Sequence, residues 1–328
     1  MQGMDKEIAE NYGLEVRNLL PWKDSFMAVT PKGRKILRKI AFSPDRIRFV
    51  NSAKEHLYEK GFTNIDRYIP TLDDEPFFSV DGGSYALTEY IEGRECSFDS
   101  DTDMQKASLL LAQLHKASRG YTVKDGVRVQ SDLGKLPAYF IKRLEDVKKL
   151  RKQARKGKSR FDHLFLEYAD YFCFLGENAI NGLRESNYEQ LARRTGETGQ
   201  FCHHDYTHHN IIVGENRLSV VNFDYCCLEL RVYDIANLIR RKMRKCNWDI
   251  AKAVMIIDSY NACEPLDSDE MCILKLMLMF PQKFWRVINR YYNSRRSWSE
   301  RSYLAKLQEV INEAAPHKKF LEEYDRLL

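Results

Sequence analysis

Two kinds of hydrophobic periodicity divide the chain at about residue 92. Before that point apolar and polar residues mostly alternate, as in "SFMAVT", "RKILRKI" and "YALTEYI", which is typical of strands with one buried face. After it, apolar residues recur three or four positions apart, which is typical of helices. The pattern predicts an α+β protein with a β-rich domain over residues 1–92 and a mostly helical domain over residues 93–328.

The β-rich part contains one recognisable hairpin and one helix. The turn "PKG" at 31–33 separates two alternating runs, which predicts a β-hairpin. Ser43 followed by Pro44 is typical of a helix start, and Gly61 is typical of a helix end. The segment between them has apolar residues at helical spacing, so we expect one helix among the strands.

The helical part is interrupted by one hairpin. The stretch "NIIVGENRLSVVNF" at 210–223 consists of two short β-branched runs around a Gly-Glu-Asn turn, which predicts a small hairpin. Loops at the ends of such a hairpin are rigid places for catalytic groups. Helices are predicted by the periodicity of residues 101–120, 135–155, 162–182, 234–246, 248–262 and 267–293.

Composition narrows the class of protein without changing this picture. Its 328 residues, 30% charged and with a net charge of +5, are ordinary for a soluble globular protein. The apolar runs are too short to cross a bilayer, and the N-terminus lacks the apolar stretch of a signal peptide, so we expect synthesis in the cytoplasm and no membrane span. The basic run at 141–160 is typical of a solvated helix face, with docking of an anionic partner as the alternative. Because no aromatic residues lie between its charges, we do not expect nucleic-acid binding.

The eight cysteines are scattered without a CxxC pair, which predicts reduced thiols. Several lie near histidines, but their spacing matches no zinc site. The residues considered for zinc are Cys202, His203, His204, His208, His209 and Cys226.

The segment "HHDYTHHN" at 203–210 contains the clearest candidate chemistry. Phosphoryl transfer needs a carboxylate that orients the attacking hydroxyl and accepts its proton, and oxygen ligands for the magnesium that bridges the phosphates. Asp205 supplies the carboxylate, and Asn210 supplies an amide oxygen five positions later. The sequence therefore predicts a phosphate-transfer loop in front of the hairpin.

The return strand of the hairpin leads into "VVNFDYC", where a second metal ligand is expected. Asn222 and Asp224 lie two positions apart, so an extended backbone places both on the same side. Asp224 can therefore approach a metal, with a turn-capping role as the alternative. Asp234 is interpreted as the cap of the following helix or as a brace for the catalytic loop.

The segments "FCHHDYTHHNIIV", "NFDYC" and "YDIANLIR" resemble the catalytic core of the aminoglycoside phosphotransferase and choline kinase superfamily. With "YALTEYIEGRE" and "FPQKFWRVINRYYNSRRSW", the chain also resembles the CotS family of spore-coat proteins. The resemblance implies a two-lobed protein-kinase-like fold with ATP and Mg²⁺ as cofactors. It implies Asp205 as the base, Asn210 as a metal ligand and His203 as a brace of the loop. The backbone contact with adenine is implied for Glu89, Tyr90 and Ile91.

The sequence departs from this pattern at three points. Asn222 stands where the family has its main metal carboxylate, so one negative charge is missing. The strand that carries the phosphate-binding lysine offers Arg38 or Lys39, which face opposite sides, and the preceding apolar residues favour Arg38. The loop "LPWKDSFMAV", which would cover the phosphates, has no glycine. Glu55 and Glu59 are the candidates for the helix partner of the basic residue, with a surface charge as the alternative for either.

The C-terminal segment at 280–298 is basic and aromatic. It suits a sugar, an anionic group or a protein surface, and packing in the core is the alternative interpretation. The residues proposed for this acceptor or partner surface are Trp285, Arg286, Tyr291 and Tyr292, together with Arg290, Arg295, Arg296 and Trp298.

Two functions follow as hypotheses. The first is a kinase-like spore-coat protein that transfers phosphate from ATP to a hydroxyl of a small molecule or sugar, and the intact Asp205 and Asn210 favour it. The second is a weak or inactive pseudokinase that binds other coat proteins, which Asn222 favours. In both, the protein is made in the mother-cell cytoplasm and can be assembled into the coat.

Overall fold

A computed structural model describes residues 3–123, 126–293 and 299–328. The chain divides into two compact units, residues 1–131 with 198–228, and residues 132–197 with 229–328. The hairpin after Asp205 therefore belongs to the same unit as the N-terminal strands. The boundary at residues 92–93 stays a prediction.

The first unit is built on a five-stranded antiparallel sheet in the order β1-β2-β3-β5-β4. The predicted hairpin is confirmed as β2 and β3, with Thr30 opposite Gly33. Helix α1 (Met4–Tyr12) packs its Ile8 and Tyr12 into the same apolar cluster as residues of the sheet. The strands are β1 (Asn18–Trp22), β2 (Ser25–Thr30), β3 (Gly33–Ile40), β4 (Phe78–Val80) and β5 (Gly83–Glu89).

Helix α2 (Pro44–Glu59) starts and ends where its sequence signals predict. The Ser43 hydroxyl accepts a hydrogen bond from the amide of Arg46 at 3.4 Å, and Gly61 follows the helix with φ 85°. Its apolar stripe is buried as predicted: Ile47, Val50, Ala53 and Leu57.

The rest of the first unit carries the loop that contains Asp205. The predicted hairpin is confirmed as β8 and β9, which add to β6 in a three-stranded sheet, while β7 pairs with β10. A short 3₁₀ turn, His208–Asn210, immediately precedes β8. The elements are β6 (Arg94–Glu95), α3 (Asp101–Ser118), β7 (Phe201–Cys202), β8 (Ile211–Val213), β9 (Leu218–Val220) and β10 (Cys227–Leu228).

The second unit is helical throughout the part that the structure describes. The prediction of one helix over residues 267–293 is wrong, because α9 ends at Met279 and α10 begins at Gln282. Pro281 has no amide hydrogen to continue the helix, which explains the break. The helices are α4 (Leu136–Ala154), α5 (Arg160–Glu185), α6 (Tyr188–Thr198), α7 (Val232–Met243), α8 (Ile250–Asn261), α9 (Ser268–Met279), α10 (Gln282–Asn293), α11 (Glu300–Asn312) and α12 (Ala314–Tyr324).

All eight cysteines are free thiols, as predicted. Among the described residues, no helix is both long enough and apolar enough to span a bilayer.

His317 in the second unit should make stability depend on acid. Its ring is buried 4.3 Å from Trp248, and Nε2 lies 3.1 Å from the carbonyl oxygen of Leu278. Burial lowers its pKa from 6.5 to about 4. The folded state thus binds the proton less tightly than the unfolded state, so this stability is present above pH 6.5 and lost as the pH falls through about 4. We expect the free energy of unfolding to drop by about 3 kcal/mol over this window from His317 alone.

Urea unfolding at pH 7 and pH 4 tests this expectation with His317→Gln, which keeps an N–H donor but does not titrate. The variant should lose about 3 kcal/mol less than the native chain between the two pH values. His163→Gln, at an exposed histidine, is the control and should behave as native. Equal losses in the native chain and His317→Gln would contradict the prediction.

Candidate functional site

A cavity of about 620 Å³ lies in the first unit beside the five-stranded sheet and the β8–β9 hairpin. Its walls include the β1–β2 turn, in which Lys23 has φ 54° and its ammonium pairs with Glu95. This two-residue turn occupies the position of the expected phosphate-covering loop, and it turns without glycine. The predicted nucleotide and metal residues on the cavity wall are Arg38, Glu89, Tyr90, Ile91, Asn210 and Asn222.

The structure separates Arg38 from Lys39. Arg38 lines the cavity, whereas Lys39 is exposed on the other face of β3, with its ammonium 5.9 Å from the centre of the Tyr85 ring. Strand alternation explains this difference. Lys39, named as a nucleotide-binding candidate, is therefore not brought to the cavity, and Arg38 is.

His203 holds the loop of Asp205 through two hydrogen bonds of its imidazole ring. It is fully buried, its Nδ1 accepts the amide hydrogen of Asp205 at 3.2 Å, and its Nε2 donates to the carbonyl oxygen of Val221 at 3.0 Å. These two bonds join the loop to the segment that follows β9. The geometry supports the predicted bracing role.

A chain of hydrogen bonds runs from Asp205 across the hairpin. Asn210 Nδ2 donates to Asp205 Oδ2 at 3.0 Å and to its carbonyl oxygen at 2.9 Å. Asn222 Nδ2 donates to Asn210 Oδ1 at 3.3 Å. Asn222 has φ 64°, a left-handed conformation that asparagine tolerates well. The structure thus brings together the proposed base and the two amide ligands.

Arg38 completes this chain. Its Nη1 donates to Asn222 Oδ1 at 2.5 Å and its Nη2 donates to Asp224 Oδ1 at 2.6 Å. Asn222 and Asp224 therefore face the same side as predicted, although the backbone at Asn222 is left-handed and not extended, and the group that they face is a guanidinium. Desolvation alone would lower the pKa of Arg38, but the charge of Asp224, with smaller effects of Tyr68 and Asp66, raises it. Arg38 is a permanent cation at this position.

The magnesium implied by the family resemblance does not fit this donor set as it stands. The side-chain oxygens of Asn210 and Asn222 and one oxygen of Asp224 already accept hydrogen bonds. Asp224 is the one carboxylate of this set of three, and it is paired with Arg38. A dication would have to displace a guanidinium that supplies positive charge at the same place.

A second cation, Lys54, lies buried behind Arg38 and escaped the sequence analysis. Its ammonium is fully buried, 3.0 Å from Asp66 Oδ1 and 4.0 Å from the centre of the Tyr68 ring. Burial lowers its pKa, which Asp66 opposes and Arg38 reinforces. Asp66 Oδ2 in turn accepts the amide hydrogen of Asn222 at 3.0 Å. Asp66 therefore connects Lys54 to the backbone of Asn222, the residue that stands where the family resemblance implies a metal carboxylate.

Neither glutamate considered on α2 pairs with Arg38, whose ion-pair partner is Asp224, and Glu59 is exposed as the surface-charge alternative predicts. Glu55 forms an ion pair with Arg67. The α2 residue that lies close enough to interact with Arg38 is Lys54, whose pKa Arg38 helps to lower. The signal was present in the sequence: Lys54 lies four positions after Val50 and seven after Ile47, on the buried face of the helix. A lysine on that face had to find a buried partner.

The predicted adenine segment forms one edge of the cavity. Glu89 pairs with Lys35 at 2.5 Å, and the amide of Tyr90 donates to the carbonyl oxygen of Arg34 at 3.1 Å. The Tyr90 ring lies 5.6 Å from that of Trp22, edge to face. Among the described residues, the backbone of Ile91 has no hydrogen-bond partner. Its amide and carbonyl groups are thus available to a planar base.

Asp234 does not cap α7. The helix begins at Val232, and Arg231 occupies the cap position without a side-chain hydrogen bond. Asp234 lies within the first turn and is fully buried. The capping interpretation is therefore wrong, and the bracing interpretation stays a prediction.

Three aromatic residues of the proposed acceptor surface pack within the second unit. Trp285 donates to Asp146 Oδ2 at 3.1 Å, and Tyr291 stacks on Phe161 with centroids 3.8 Å apart. The Tyr292 hydroxyl donates to Asp162 in the capping box of α5. These contacts favour the packing alternative for the aromatic residues, whereas Arg286 is exposed. Arg295, Arg296 and Trp298 lie outside the described residues.

No described group unites the six residues considered for zinc. The cluster of potential ligands within the first unit consists of Glu95, His208 and His209, with His209 Nδ1 2.5 Å from Glu95 Oε2. Lys23 also pairs with Glu95. The zinc alternative therefore gains no support from this cluster.

Some known proteins resemble this chain in sequence, and others resemble it in fold. Spore coat protein S of Bacillus subtilis (strain 168) is 28% identical over 306 residues, which cover 91% of this chain and 86% of that protein. An aminoglycoside phosphotransferase from Alicyclobacillus acidocaldarius subsp. acidocaldarius DSM 446 has a TM-score of 0.87 at 21% identity, over 98% of this chain and 95% of that one. The spectinomycin phosphotransferase APH(9)-Ia, solved with ADP and spectinomycin, has a TM-score of 0.65 at 15% identity, over 97% and 98% of the two chains.

These likenesses confirm the predicted α+β fold of the aminoglycoside phosphotransferase type. They also confirm the predicted resemblance to kinase-like proteins of the spore coat. The family model described as "Spore coat putative kinase YutH" matches residues 5–324. Because that match covers almost the whole length, the chain belongs to this family of kinase-like spore-coat proteins.

Proposed function

We propose that the cavity of the first unit binds ATP. We propose further that the protein transfers the terminal phosphate of ATP to a hydroxyl of a small molecule or sugar. The observation that carries the proposal is the hydrogen-bonded series Asp205, Asn210, Asn222 and Arg38, of which the last three line the cavity. The series supplies a carboxylate that can accept the acceptor proton, and a guanidinium that can bind phosphate oxygens where a kinase of the usual pattern holds magnesium. That the spectinomycin phosphotransferase was solved with ADP supports a nucleotide as the ligand.

The roles divide among the residues as follows. Asp205 accepts the proton of the acceptor hydroxyl, and Asn210 keeps the carboxylate oriented. Arg38 binds phosphate oxygens through its two-pronged guanidinium, releasing Asn222 and Asp224 as it turns to the nucleotide. The backbone of Ile91 binds adenine. Because Arg38 supplies the positive charge, we propose that nucleotide binding does not require magnesium.

The second candidate function is a coat component that binds nucleotide without turnover. It is favoured by the engagement of both Asn222 and Asp224 with Arg38, which leaves the metal ligands of an active kinase occupied. In this candidate the partners are other coat proteins. The relative named spore coat protein S supports a location in the coat for either function, after synthesis in the mother cell.

Calorimetric titration with ATP, with and without magnesium, tests the nucleotide proposal. The native chain should bind ATP with similar affinity in both conditions. Arg38→Ala should weaken binding about tenfold or more, since a charge-assisted bond contributes about 1.5–3 kcal/mol. Asn222→Asp, which restores the missing carboxylate, should make binding tighter with magnesium. Lys39→Ala is the matched control on the opposite face of β3 and should bind as native.

The titration tests both the binding of nucleotide and the role of Arg38. Absence of binding by the native chain would overturn the nucleotide proposal, and tighter native binding with magnesium would overturn the role given to Arg38. Turnover is tested separately by incubating the native chain and Asp205→Asn with ATP and a panel of alcohols and sugars. Phosphate transfer that depends on Asp205 supports the enzyme, and ATP binding without transfer supports the coat component.

A further inference from the structure

Five arginines of the second unit lie close together on three helices. Arg143 on α4 donates to Gln282 on α10 at 2.7 Å, and Arg240 and Arg244 line the same small cavity as Gln282. The charges of Arg244, Arg290 and Arg143 also affect Arg286, and those of Arg244, Arg143 and Arg286 affect Arg240. One residue comes from α4, two from the C-terminal end of α7 and two from α10. We call this set the arginine surface: Arg143, Arg240, Arg244, Arg286 and Arg290.

These arginines do not neutralise carboxylates of the chain. Among the residues that the structure describes, none of the five forms an ion pair. Arg143 donates to the amide oxygen of Gln282 at 2.7 Å, and Arg240 donates to Asn237 Oδ1 at 3.2 Å and to the carbonyl oxygen of Met277. Neutral acceptors thus orient the two half-buried guanidinium groups without cancelling their charge.

The nearest carboxylates are already engaged elsewhere. Glu313 pairs with Lys283 at 2.6 Å, and Glu309 lies 3.7 Å from the same lysine. Asp146 accepts the indole hydrogen of Trp285 at 3.1 Å, and Arg143 lies over that indole at 4.8 Å. The carboxylates that influence Arg244 and Arg143 therefore bind other groups, and the surface keeps an excess of positive charge.

Like charges held together without counter-charges are destabilising unless an anion binds them. Desolvation, followed by the neighbouring arginines, lowers the pKa of Arg286, and desolvation is also the main cause of the lowered pKa of Arg240, about 10. An incoming anion would relieve this repulsion. Guanidinium groups bind carboxylates in pairs of parallel hydrogen bonds, which makes arginine suited to this task.

The shape of the surface selects the size of the ligand. Arg244, Arg286 and Arg290 are exposed, and the cavity next to Arg240 and Arg244 has a volume of only about 50 Å³. A compact anion would have no enclosing pocket there. A chain of carboxylates can instead contact guanidinium groups on all three helices at once.

We propose that the arginine surface is a docking site for an acidic polypeptide segment rich in aspartate or glutamate. The inference does not depend on nucleotide binding or phosphate transfer, because all five residues belong to the second unit and the cavity belongs to the first. The basic charge of α4 continues the surface along the same helix, as Lys142 and Lys149 are also exposed there. A docking segment can therefore extend beyond the five arginines.

Binding of a fluorescent poly-L-glutamate peptide, followed by anisotropy at low and moderate ionic strength, tests the proposal. The native chain should bind the peptide, and salt should weaken the binding. The double variant Arg244→Gln/Arg286→Gln removes two exposed charges and should weaken binding about tenfold. The matched control is Arg184→Gln/Arg193→Gln, which removes two exposed charges of the same unit from α5 and α6. The control should bind as native.

Three outcomes would overturn the proposal. The first is that the native chain does not bind the peptide at low ionic strength. The second is that both double variants lose affinity equally, because the attraction would then follow net charge alone. The third is that duplex DNA binds as tightly as the peptide and is equally sensitive to the Arg244→Gln/Arg286→Gln change, because the surface would then accept any polyanion. Circular dichroism of each variant shows whether the fold is kept.

Discussion

Replacing Lys54 by alanine is expected to lower the free energy of unfolding by about 3–5 kcal/mol. The ammonium is fully buried, and it is the counter-charge of Asp66 at 3.0 Å. It also donates to the backbone carbonyl of Asp66 at 2.7 Å. Without Lys54, a carboxylate that holds the backbone of Asn222 is left with no cation of its own. Chemical unfolding followed by circular dichroism measures the loss.

Two further variants separate charge from packing at this position. Lys54→Met keeps most of the apolar stem and removes the charge that lies over the rings of Tyr68 and Phe223. It should still lose most of the stability that alanine loses. Combining it with Asp66→Asn, which keeps an acceptor for the amide of Asn222, should recover part of the loss. Losses that simply add in the double variant would show that the ion pair is not the cause.

Replacing Gly93 by alanine is expected to cost about 2–6 kcal/mol, the sum of backbone strain of about 1–3 and overpacking of about 1–3. Gly93 has φ 151°, where a side chain is strained. A Cβ atom there would lie 2.6 Å from the carbonyl oxygen of Val213 and 2.8 Å from Cγ2 of Ile212. The backbone of β8 cannot move away without disturbing the hairpin behind Asn210. Chemical unfolding measures the cost, and the ATP titration reports on the cavity that Gly93 lines.

Gly82→Ala provides the matched control for Gly93. Gly82 also has a positive φ, 69°, but no atom lies within 4 Å of its added Cβ. It should cost about 1–2 kcal/mol, the strain of a left-handed residue alone. If the two substitutions cost the same, close approach to β8 is not what requires glycine at position 93.

Local features of the fold could be predicted because their causes are local. The β2–β3 hairpin, the limits of α2 and the β8–β9 hairpin each depend on turn residues and on a periodicity that extends over a few neighbours. The spacing of Asp205 and Asn210 is fixed by the single short loop that contains them, so their proximity follows from the sequence, whereas the hydrogen bond between them is a finding of the structure. The prediction over 267–293 followed the helical periodicity, which continues on both sides of Pro281. It missed that Pro281 ends one helix and separates it from the next.

Side-chain packing decides between the two interpretations that the sequence left open for the C-terminal segment. Aromatic residues at helical spacing fit a ligand surface and a core equally well until their neighbours are known. Their neighbours lie at the start of α5: Tyr291 stacks on Phe161, and the Tyr292 hydroxyl donates to Asp162, which is 130 residues earlier in the chain. The basic charge of α10 is visible in the sequence, but only the structure shows that Arg286 and Arg290 form no ion pair among the described residues.

The sequence by itself predicted the kinase-like fold, and it placed the proposed base Asp205, the proposed amide ligand Asn210 and the departure at Asn222 in one continuous segment. It could not determine what replaced the missing charge. Arg38 meets Asn222 and Asp224 across separations of 184 and 186 residues, and Lys54 enters the site from a helix face that looks purely structural. Pairings of this length depend on how the sheet, α2 and the hairpin pack together, since each side chain has several partners of suitable charge in the sequence. Only the tertiary structure selected among them.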